Sequence, residues 1–92
     1  MIIIWSDEAR KTYNKTIDDL IDSWQIEIVI DFEEKTNELL DHLKKYKKFC
    51  PLSKKKNIRK CVIHKNTSFV YKIKKTNIEL ITFLDNRTEN EY

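Results

Sequence analysis

The chain contains no glycine among its 92 residues. Glycine-rich phosphate loops and dinucleotide-binding fingerprints need glycine where the backbone approaches a phosphate, so nucleotide-dependent enzymes of those types are excluded. A turn that requires a positive φ must use Asn or Asp instead, because these residues tolerate the left-handed region better than the others. Pro51 is the only proline and marks a loop.

Cysteine is scarce as well. Cys50 and Cys61 form neither a CxxC pair nor a dense framework, which predicts reduced thiols. With His42 and His64 they offer ligand types for zinc, but the spacing is irregular, and Cys61 and His64 are predicted on opposite faces of one strand. We therefore expect no metal, no Cys–His nucleophile and no other cofactor.

Long apolar runs are missing too, since none approaches the roughly 18 residues of a membrane span. The apolar segment Met1–Trp5 meets acidic residues at once, unlike a signal peptide. We expect a cytoplasmic protein without a membrane partner or a small-molecule substrate. The length and the 40% hydrophobic content suit a single domain over residues 1–92.

Acidic residues are absent from one third of the chain. Residues 44–75 contain thirteen Lys or Arg and no Asp or Glu, whereas residues 1–43 carry eleven acids against four cations. The net charge of +3 therefore hides a polarised molecule. Like charges gathered on one face create a strong positive potential, which an oppositely charged partner would relieve. The alternative is a solvated lysine surface, although such lysines usually alternate with acids.

The first half of the chain predicts a short strand and two helices. Residues 1–5 favour a buried strand, and Ser6 is a plausible N-cap for a helix over residues 7–24. Its apolar stripe is Ala9, Tyr13, Ile17, Leu20, Ile21 and Trp24. Residues 25–33 are ambiguous between a strand and a helix. The stripe that continues to Leu43 favours a second helix over residues 26–46.

The second half predicts three strands, at residues 58–64, 68–74 and 78–85. The links at residues 65–67 and 75–77 have hairpin length, and each contains the Asn that a glycine-free turn requires. The order β-α-α-β-β-β predicts an α+β domain, in which a helical hairpin packs on a small antiparallel sheet. Residues 86–92 are polar and predict a flexible tail. The predicted core includes Ile3, Trp5, Ile17, Leu20, Phe32, Leu39, Leu43, Tyr71 and Ile81, with Trp24 as a further anchor.

Several strings, taken in this order, resemble the RelE/ParE superfamily of bacterial toxins from type II toxin–antitoxin modules. Ile4–Ala9 is similar to the frequent start of that family, and Ile58–Lys60 with Phe69–Ile73 is similar to its central hairpin. Ile78–Arg87 is similar to its final strand, where a short Asp-x-Arg ending recurs in ParE-like members. The resemblance covers nearly the whole chain.

The resemblance implies a growth-inhibiting toxin of the kind found in plasmid stabilisation, neutralised by a cognate antitoxin. RelE-like and YoeB-like members cut messenger RNA on the ribosome, whereas ParE-like members inhibit DNA gyrase. The cleaving members place an arginine where this chain has Ser68. Of their two basic residues on the preceding strand, this chain matches one with Arg59 and has Cys61 in place of the other. These departures favour the ParE-like branch, a gyrase inhibitor with no catalytic residues of its own. The alternatives are a ribosome-dependent mRNA endoribonuclease, or an inactive homologue that acts only as a protein-binding module.

The resemblance and the basic block together predict which residues bind the target or the antitoxin. They are Lys54, Lys56, Arg59, Lys60, Lys65, Lys72 and Arg87. Arg59 is expected either to contact the partner or to bridge to an acid such as Asp85. Tyr46 and Phe49 lie in the basic block but fit core positions better than a base-stacking surface.

Overall fold

The elements follow the predicted order in a computed structural model that describes residues 1–23 and 26–92. They are β1 (Ile2–Trp5), α1 (Asp7–Ser23), α2 (Ile26–Lys45), β2 (Arg59–His64), β3 (Thr67–Ile73) and β4 (Asn77–Asp85). The α+β class and the helical hairpin on a sheet are thereby confirmed. Trp24, predicted as part of the apolar stripe and the core, lies outside the described residues. None of the helices in the described ranges is long and apolar enough to cross a membrane.

Ser6 caps α1, as the sequence predicts. Its Oγ accepts a hydrogen bond from the amide of Ala9 at 2.9 Å. Asp7 and Glu8 occupy the first turn, where carboxylates stabilise the positive end of the helix dipole. The Ser6 hydroxyl also donates to the carbonyl of Ile81 at 2.7 Å, so the cap fixes the start of α1 against β4.

The ambiguous segment after residue 25 is helical from Ile26 onwards. Its buried side chains recur at intervals of three or four residues, namely Val29, Phe32, Thr36, Leu40 and Leu43. The alternating residues Ile26, Ile28 and Ile30 suggested a strand, but all three are exposed on the helix. The helical period continues for twenty residues and therefore outweighs the short alternation.

The sheet is mixed, which corrects the prediction of an antiparallel sheet. Its strand order is β1-β4-β3-β2, with β1 parallel to β4 and the other two pairs antiparallel. The cause is the direction of the helices. Helix α1 continues along β4, where Thr12 bonds Phe83, and α2 returns until the Lys44 carbonyl accepts from the Met1 amine at 2.9 Å. Strand β2 therefore starts at the same end of the sheet as β1 and runs in the same direction. Each of the two following hairpins reverses the chain, so β3 is antiparallel to β1 and β4 is parallel to it.

Helix α1 covers the edge of β4 beyond the end of β1. Strand β1 reaches only Leu80, so the second half of β4 has no strand on that side. The Thr12 hydroxyl accepts from the amide of Phe83 at 2.9 Å and donates to the carbonyl of Glu8 at 2.8 Å. A side chain of the helix therefore satisfies a backbone donor that a strand would otherwise bond.

A β-bulge on β4 determines which of its residues are buried in the core. Tyr71 pairs with Leu80 but Val70 pairs with Thr82, so Ile81 has no opposite residue. The extra residue shifts the alternation, and the core contains Leu80 and then Phe83. The prediction of Ile81 as a core residue is wrong, because Ile81 is only half-buried at the bulge.

The remaining core predictions within the described residues are confirmed. Phe32, Leu43 and Tyr71 are completely buried, and the partly buried side chains packed around them include Ile3, Trp5, Ile17, Leu20 and Leu39. An aromatic cluster joins β1, both helices and β4. Trp5 stacks on Phe83 with ring centroids 5.4 Å apart, and Tyr13 stacks on Phe32 at 5.6 Å.

The cysteines form a disulfide, so the prediction of reduced thiols is wrong. Cys50 and Cys61 lie eleven residues apart in sequence, and both are buried. The loop after α2 folds back along β2 and brings them together, a contact that sequence spacing alone did not reveal.

The turn prediction needs correction as well. Asn57, in the loop before β2, is the only residue of the described ranges with a positive φ, at 64°. The hairpins at Asn66 and Asn77 turn without a left-handed residue.

We expect the disulfide to stabilise the fold by about 3 kcal/mol, because it closes a loop of roughly a dozen residues in the unfolded chain. Urea unfolding of the wild-type protein with and without a dithiol reductant measures this difference. The double variant Cys50→Ala, Cys61→Ala is the control and should not respond to the reductant. Equal wild-type stability under both conditions would contradict the expectation.

We expect Thr12→Val to lower the free energy of unfolding by about 1–3 kcal/mol, because it leaves the Phe83 amide without an acceptor. Thr12→Ser keeps the oxygen and should retain most of the stability. Thr16→Val is a matched control, since the Thr16 hydroxyl bonds only the Thr12 carbonyl of its own helix. Equal stability of Thr12→Val and Thr16→Val in urea unfolding would refute this role of Thr12.

Candidate partner-binding surface

The loop between α2 and β2, residues 46–58, is held against the sheet by two side chains. The hydroxyl of buried Tyr71 donates to the carbonyl of Lys47 at 2.8 Å and accepts from the amide of Cys50 at 3.4 Å. Arg59 Nη1 donates to the carbonyl of Cys50 at 2.8 Å. The sequence left open whether Arg59 contacts the partner or bridges to an acid such as Asp85. The structure shows no bridge to Asp85, because Arg59 bonds the loop instead.

Backbone hydrogen bonds fix the rest of this loop to the start of β2. The amide of Lys60 donates to the carbonyl of Pro51 at 3.0 Å, and the amide of Ser53 donates to the carbonyl of Ile58 at 2.8 Å. Leu52 forms an isolated antiparallel bridge with Arg59. This part of the loop therefore extends the sheet at the edge formed by β2. The backbone that carries the lysines of the loop is held in place by these bonds.

The structure gathers five of the seven predicted site residues around this loop. Lys54 and Lys56 are exposed in the loop, Arg59 and Lys60 are half-buried on β2, and Lys72 is exposed on β3. Lys60 pairs with Val70, two residues before Lys72. Lys60 and Lys72 alternate with the core residues of their strands and so point away from the helices. We call Lys54, Lys56, Arg59, Lys60 and Lys72 the basic surface.

The basic surface forms no ion pair within the described residues, although Glu79 lies opposite Lys72 on β4. Three lysines of the basic block form ion pairs, namely Lys44 with Asp41, Lys55 with Glu91 and Lys74 with Glu79. These pairs are exposed, so each contributes little to stability. None of the five residues of the basic surface has an acidic side chain within 4.0 Å in the described ranges.

The segment after β4 returns to the basic loop. The amide of Lys54 donates to the main-chain oxygen of Tyr92 at 3.2 Å. Lys55 Nζ lies 3.1 Å from Glu91 and 5.4 Å from the centre of the Tyr92 ring. Burial raises the pKa of Tyr92, and the charge of Glu91 adds to the effect. Residues 86–92 have no helix or strand, and their flexibility stays a prediction.

Lys65 and Arg87, the other two predicted site residues, lie at the opposite end of the sheet. Lys65 is in the β2–β3 turn, six residues and thus about 20 Å along the strand direction from Arg59. Arg87 follows β4 and forms two hydrogen bonds with the carboxylate of Asp85, at 3.0 and 2.8 Å. These bonds lower the pKa of Asp85 to about 2. The seven predicted residues are therefore divided between two regions.

A cleft of about 440 Å³ lies at this opposite end, between the helices and the β2–β3 turn. Its lining includes Thr16, Asp19, Leu20, Ile28, His64, Leu84 and Arg87. His64 faces the helices because a bulge at Ile63 pairs it with Thr67, and its ring lies 5.7 Å from Phe32. The prediction that Cys61 and His64 occupy opposite faces is therefore wrong, since Cys61 also packs in the core.

Two aromatic side chains of the basic block are exposed, contrary to the sequence prediction. Tyr46 is 65% exposed and Phe49 is 50% exposed, whereas Phe69 is completely buried and Tyr71 is completely buried as predicted. Tyr46 and Phe49 follow Leu43, the last buried position of α2. The apolar stripe of α2 ends at Leu43, and this end could have indicated from the sequence that Tyr46 and Phe49 are not core residues.

The fold is that of RelE/ParE-type toxins, with two helices on a four-stranded mixed sheet. The YoeB/ParE toxin from Agrobacterium tumefaciens matches with a TM-score of 0.67 over 94% of this chain and 99% of that chain, at 14% identity. The conserved hypothetical protein HP0894 from Helicobacter pylori matches with a TM-score of 0.54 over 95% and 96%, at 18% identity. Neither a protein-family model nor a curated protein matches the sequence. At these identities the likeness shows the fold, which confirms the fold implied by the sequence resemblance.

We expect the stability of the protein to fall as the pH drops below about 6.5, because burial and the charge of Lys35 lower the pKa of His64 in the folded state. The nearby Asp31 opposes this shift. The unfolded chain then binds a proton that the folded chain takes up only at lower pH. The pKa of Asp85 makes its own contribution below pH 3.8, in a separate range.

Thermal unfolding of the wild type and of His64→Gln at pH values from about 8 to 5 measures the effect of His64. The wild type should lose more of its Tm between about pH 7 and pH 5 than the variant does. The same pH dependence in both proteins would show that His64 does not carry it.

Proposed function

We propose that this protein is the toxin of a type II toxin–antitoxin module. The observation that carries the proposal is the fold, which the YoeB/ParE toxin shares over 94% of the chain. The basic surface supports it, because a cluster of cations without acidic partners is suited to a large anionic or acidic target. The toxin acts in the cytoplasm, where its candidate targets are found.

The target that we propose is DNA gyrase, inhibited by binding rather than by catalysis. Ser68, at the position where the resembling nucleases have an arginine, is completely buried and cannot reach a substrate. Cys61, at the second such position, is part of the disulfide. Two of the three positions at which those nucleases present cations therefore present none here, and Arg59 occupies the third. Lys54, Lys56, Arg59, Lys60 and Lys72 contact the target in this proposal.

A ribosome-dependent mRNA endoribonuclease is the second candidate, and one observation favours it. Lys55 Nζ lies 5.4 Å from the centre of the Tyr92 ring, so an aromatic side chain with a hydroxyl is close to a cation that can hold a phosphate. Burial raises the pKa of Tyr92 further above neutral pH, so the phenol is protonated there, as an ordinary tyrosine is, and is available as a proton donor. An inactive homologue that only binds a protein would show neither activity.

The cognate antitoxin is proposed to cover two regions. Ile21, Ile26, Ile28 and Ile30 are exposed apolar residues of the helical hairpin, which suit the apolar face of a partner helix. An acidic or extended segment of the same partner neutralises the basic surface. Lys65 and Arg87 lie at the end of the sheet near Ile28, across the cleft, and belong to the antitoxin region in this proposal.

Expression in a bacterial host tests the proposal. We expect growth arrest, inhibition of gyrase supercoiling by the purified protein, and intact transcripts. The double variant Lys54→Glu, Lys60→Glu should inhibit supercoiling at least tenfold less, because reversal places two charges of the wrong sign at the contact. The double variant Arg10→Glu, Lys11→Glu reverses two exposed cations of α1 and is the matched control.

Two further measurements separate the candidates. Transcripts cut in phase with codons, with normal supercoiling and with cutting lost in Tyr92→Phe, would replace gyrase by the nuclease. Rescue of growth by a small reading frame adjacent to the gene, whose product copurifies, supports the module. Absence of growth arrest from a well-expressed, folded protein would refute the toxin proposal.

A further inference from the structure

A rigid aromatic surface lies at the end of α2. Tyr46 and Phe49 are at least half exposed, although the backbone that carries them is anchored to the core. The amide of Tyr46 donates to the carbonyl of His42 at 2.8 Å, and the amide of Phe49 donates to the carbonyl of Tyr46 at 2.9 Å. The Tyr71 hydroxyl bonds the intervening Lys47 carbonyl at 2.8 Å. Large apolar side chains exposed on a fixed turn indicate a contact surface.

One of the two aromatic rings is already oriented by a stacking contact. The rings of His42 and Phe49 are nearly parallel, with an interplanar angle of 11° and centroids 4.9 Å apart. His42 is on the exposed side of α2, so this pair stands at the surface. A ring that is held in place loses little conformational entropy when a further planar group stacks on it.

Lysines alternate with these aromatics. Lys44, Lys45, Lys47 and Lys48 are all exposed, and residues 42–49 contain no acid. Lys44 lies 3.6 Å from Asp41, and the other three have no carboxylate within 4.0 Å in the described parts of the chain. We call His42, Lys44, Lys45, Tyr46, Lys47, Lys48 and Phe49 the α2-end surface.

We propose that the α2-end surface binds single-stranded RNA, with bases stacked on Tyr46 and Phe49 and phosphates paired with the flanking lysines. Base–aromatic stacking and a positively charged track are the two components of single-strand binding, and both are present within eight residues. The sequence reading missed this surface because it assigned both aromatics to the core.

The charge pattern favours a polyanion over a protein at this surface. Protein–protein interfaces are enriched in aromatic residues but depleted of lysine, whereas four lysines flank the two rings here. A single strand fits better than a duplex, since a duplex hides the faces of its bases. RNA fits better than DNA, because unpaired bases are common in its loops and ends.

This inference does not depend on the target of the toxin. It concerns residues 42–49, whereas the proposed contacts with gyrase are Lys54, Lys56, Arg59, Lys60 and Lys72. Its test is direct binding by the purified protein, so a negative result leaves the growth and supercoiling tests unaffected.

Fluorescence anisotropy with a labelled uridine dodecamer tests the proposal. The double variant Tyr46→Leu, Phe49→Leu should bind at least about tenfold more weakly than the wild type, because it keeps apolar area but removes the stacking faces. Tyr46→Phe, Phe49→Tyr keeps both rings and should bind like the wild type. Val62→Leu changes an exposed apolar side chain of β2 that belongs to none of the proposed binding surfaces, and it is the control. Circular dichroism confirms that each variant is folded.

Three outcomes would overturn the proposal. One is equal affinity for the dodecamer and for an abasic strand of the same length, which would leave only charge attraction. The second is binding to the deoxythymidine dodecamer but not to the RNA. The third is undiminished binding by the leucine double variant, which would show that the RNA is not held by stacking on these two rings. Loss of affinity with rising salt, together with the leucine effect, supports the proposed combination of charge and stacking.

Discussion

The hydrogen bond between the Tyr71 hydroxyl and the carbonyl of Lys47 joins the hydrophobic core to the basic loop. Tyr71 is completely buried in β3, so its ring is part of the core while its hydroxyl holds the loop. Arg59 and the disulfide attach the same loop at Cys50. Without these three contacts a lysine-rich segment would be driven away from the sheet by its own charge. The basic surface and the α2-end surface both include residues of this loop.

Acidic and basic residues are separated along the sequence, and the fold places them in different parts of the molecule. The acids of the first half lie mainly on the two helices, and the cations gather at the loop, β2 and β3. This separation leaves the basic surface without internal partners at the end of the sheet where α2 finishes. The exposed isoleucines of the hairpin lie at the other end, beside the cleft. A single partner that covered both regions, as proposed for the antitoxin, would combine apolar and acidic segments.

Strand β4 contributes to the core along most of its length and has a different partner on each edge. It pairs with β1 and β3 and is completed by the Thr12 hydroxyl of α1. The bulge at Ile81 shifts the alternation of the rest of the strand, which places Phe83 in the core. A pairing of Arg59 with Asp85 is excluded by this geometry, since the two residues lie at opposite ends of β2 and β4, and β3 separates these strands.

The sequence by itself determined the order of the elements, the N-cap at Ser6, the helical nature of α2 and most of the core. These features depend on neighbours within a few residues or on a periodicity that persists along the segment. Tertiary structure alone decided the parallel pairing of β1, the Cys50–Cys61 disulfide, the bulge at Ile81 and the exposure of Tyr46 and Phe49. Each of these depends on contacts between residues distant in sequence or on where the core ends. The division of the seven predicted cations into two regions has the same origin, because composition gives the amount of charge but only the fold gives its position.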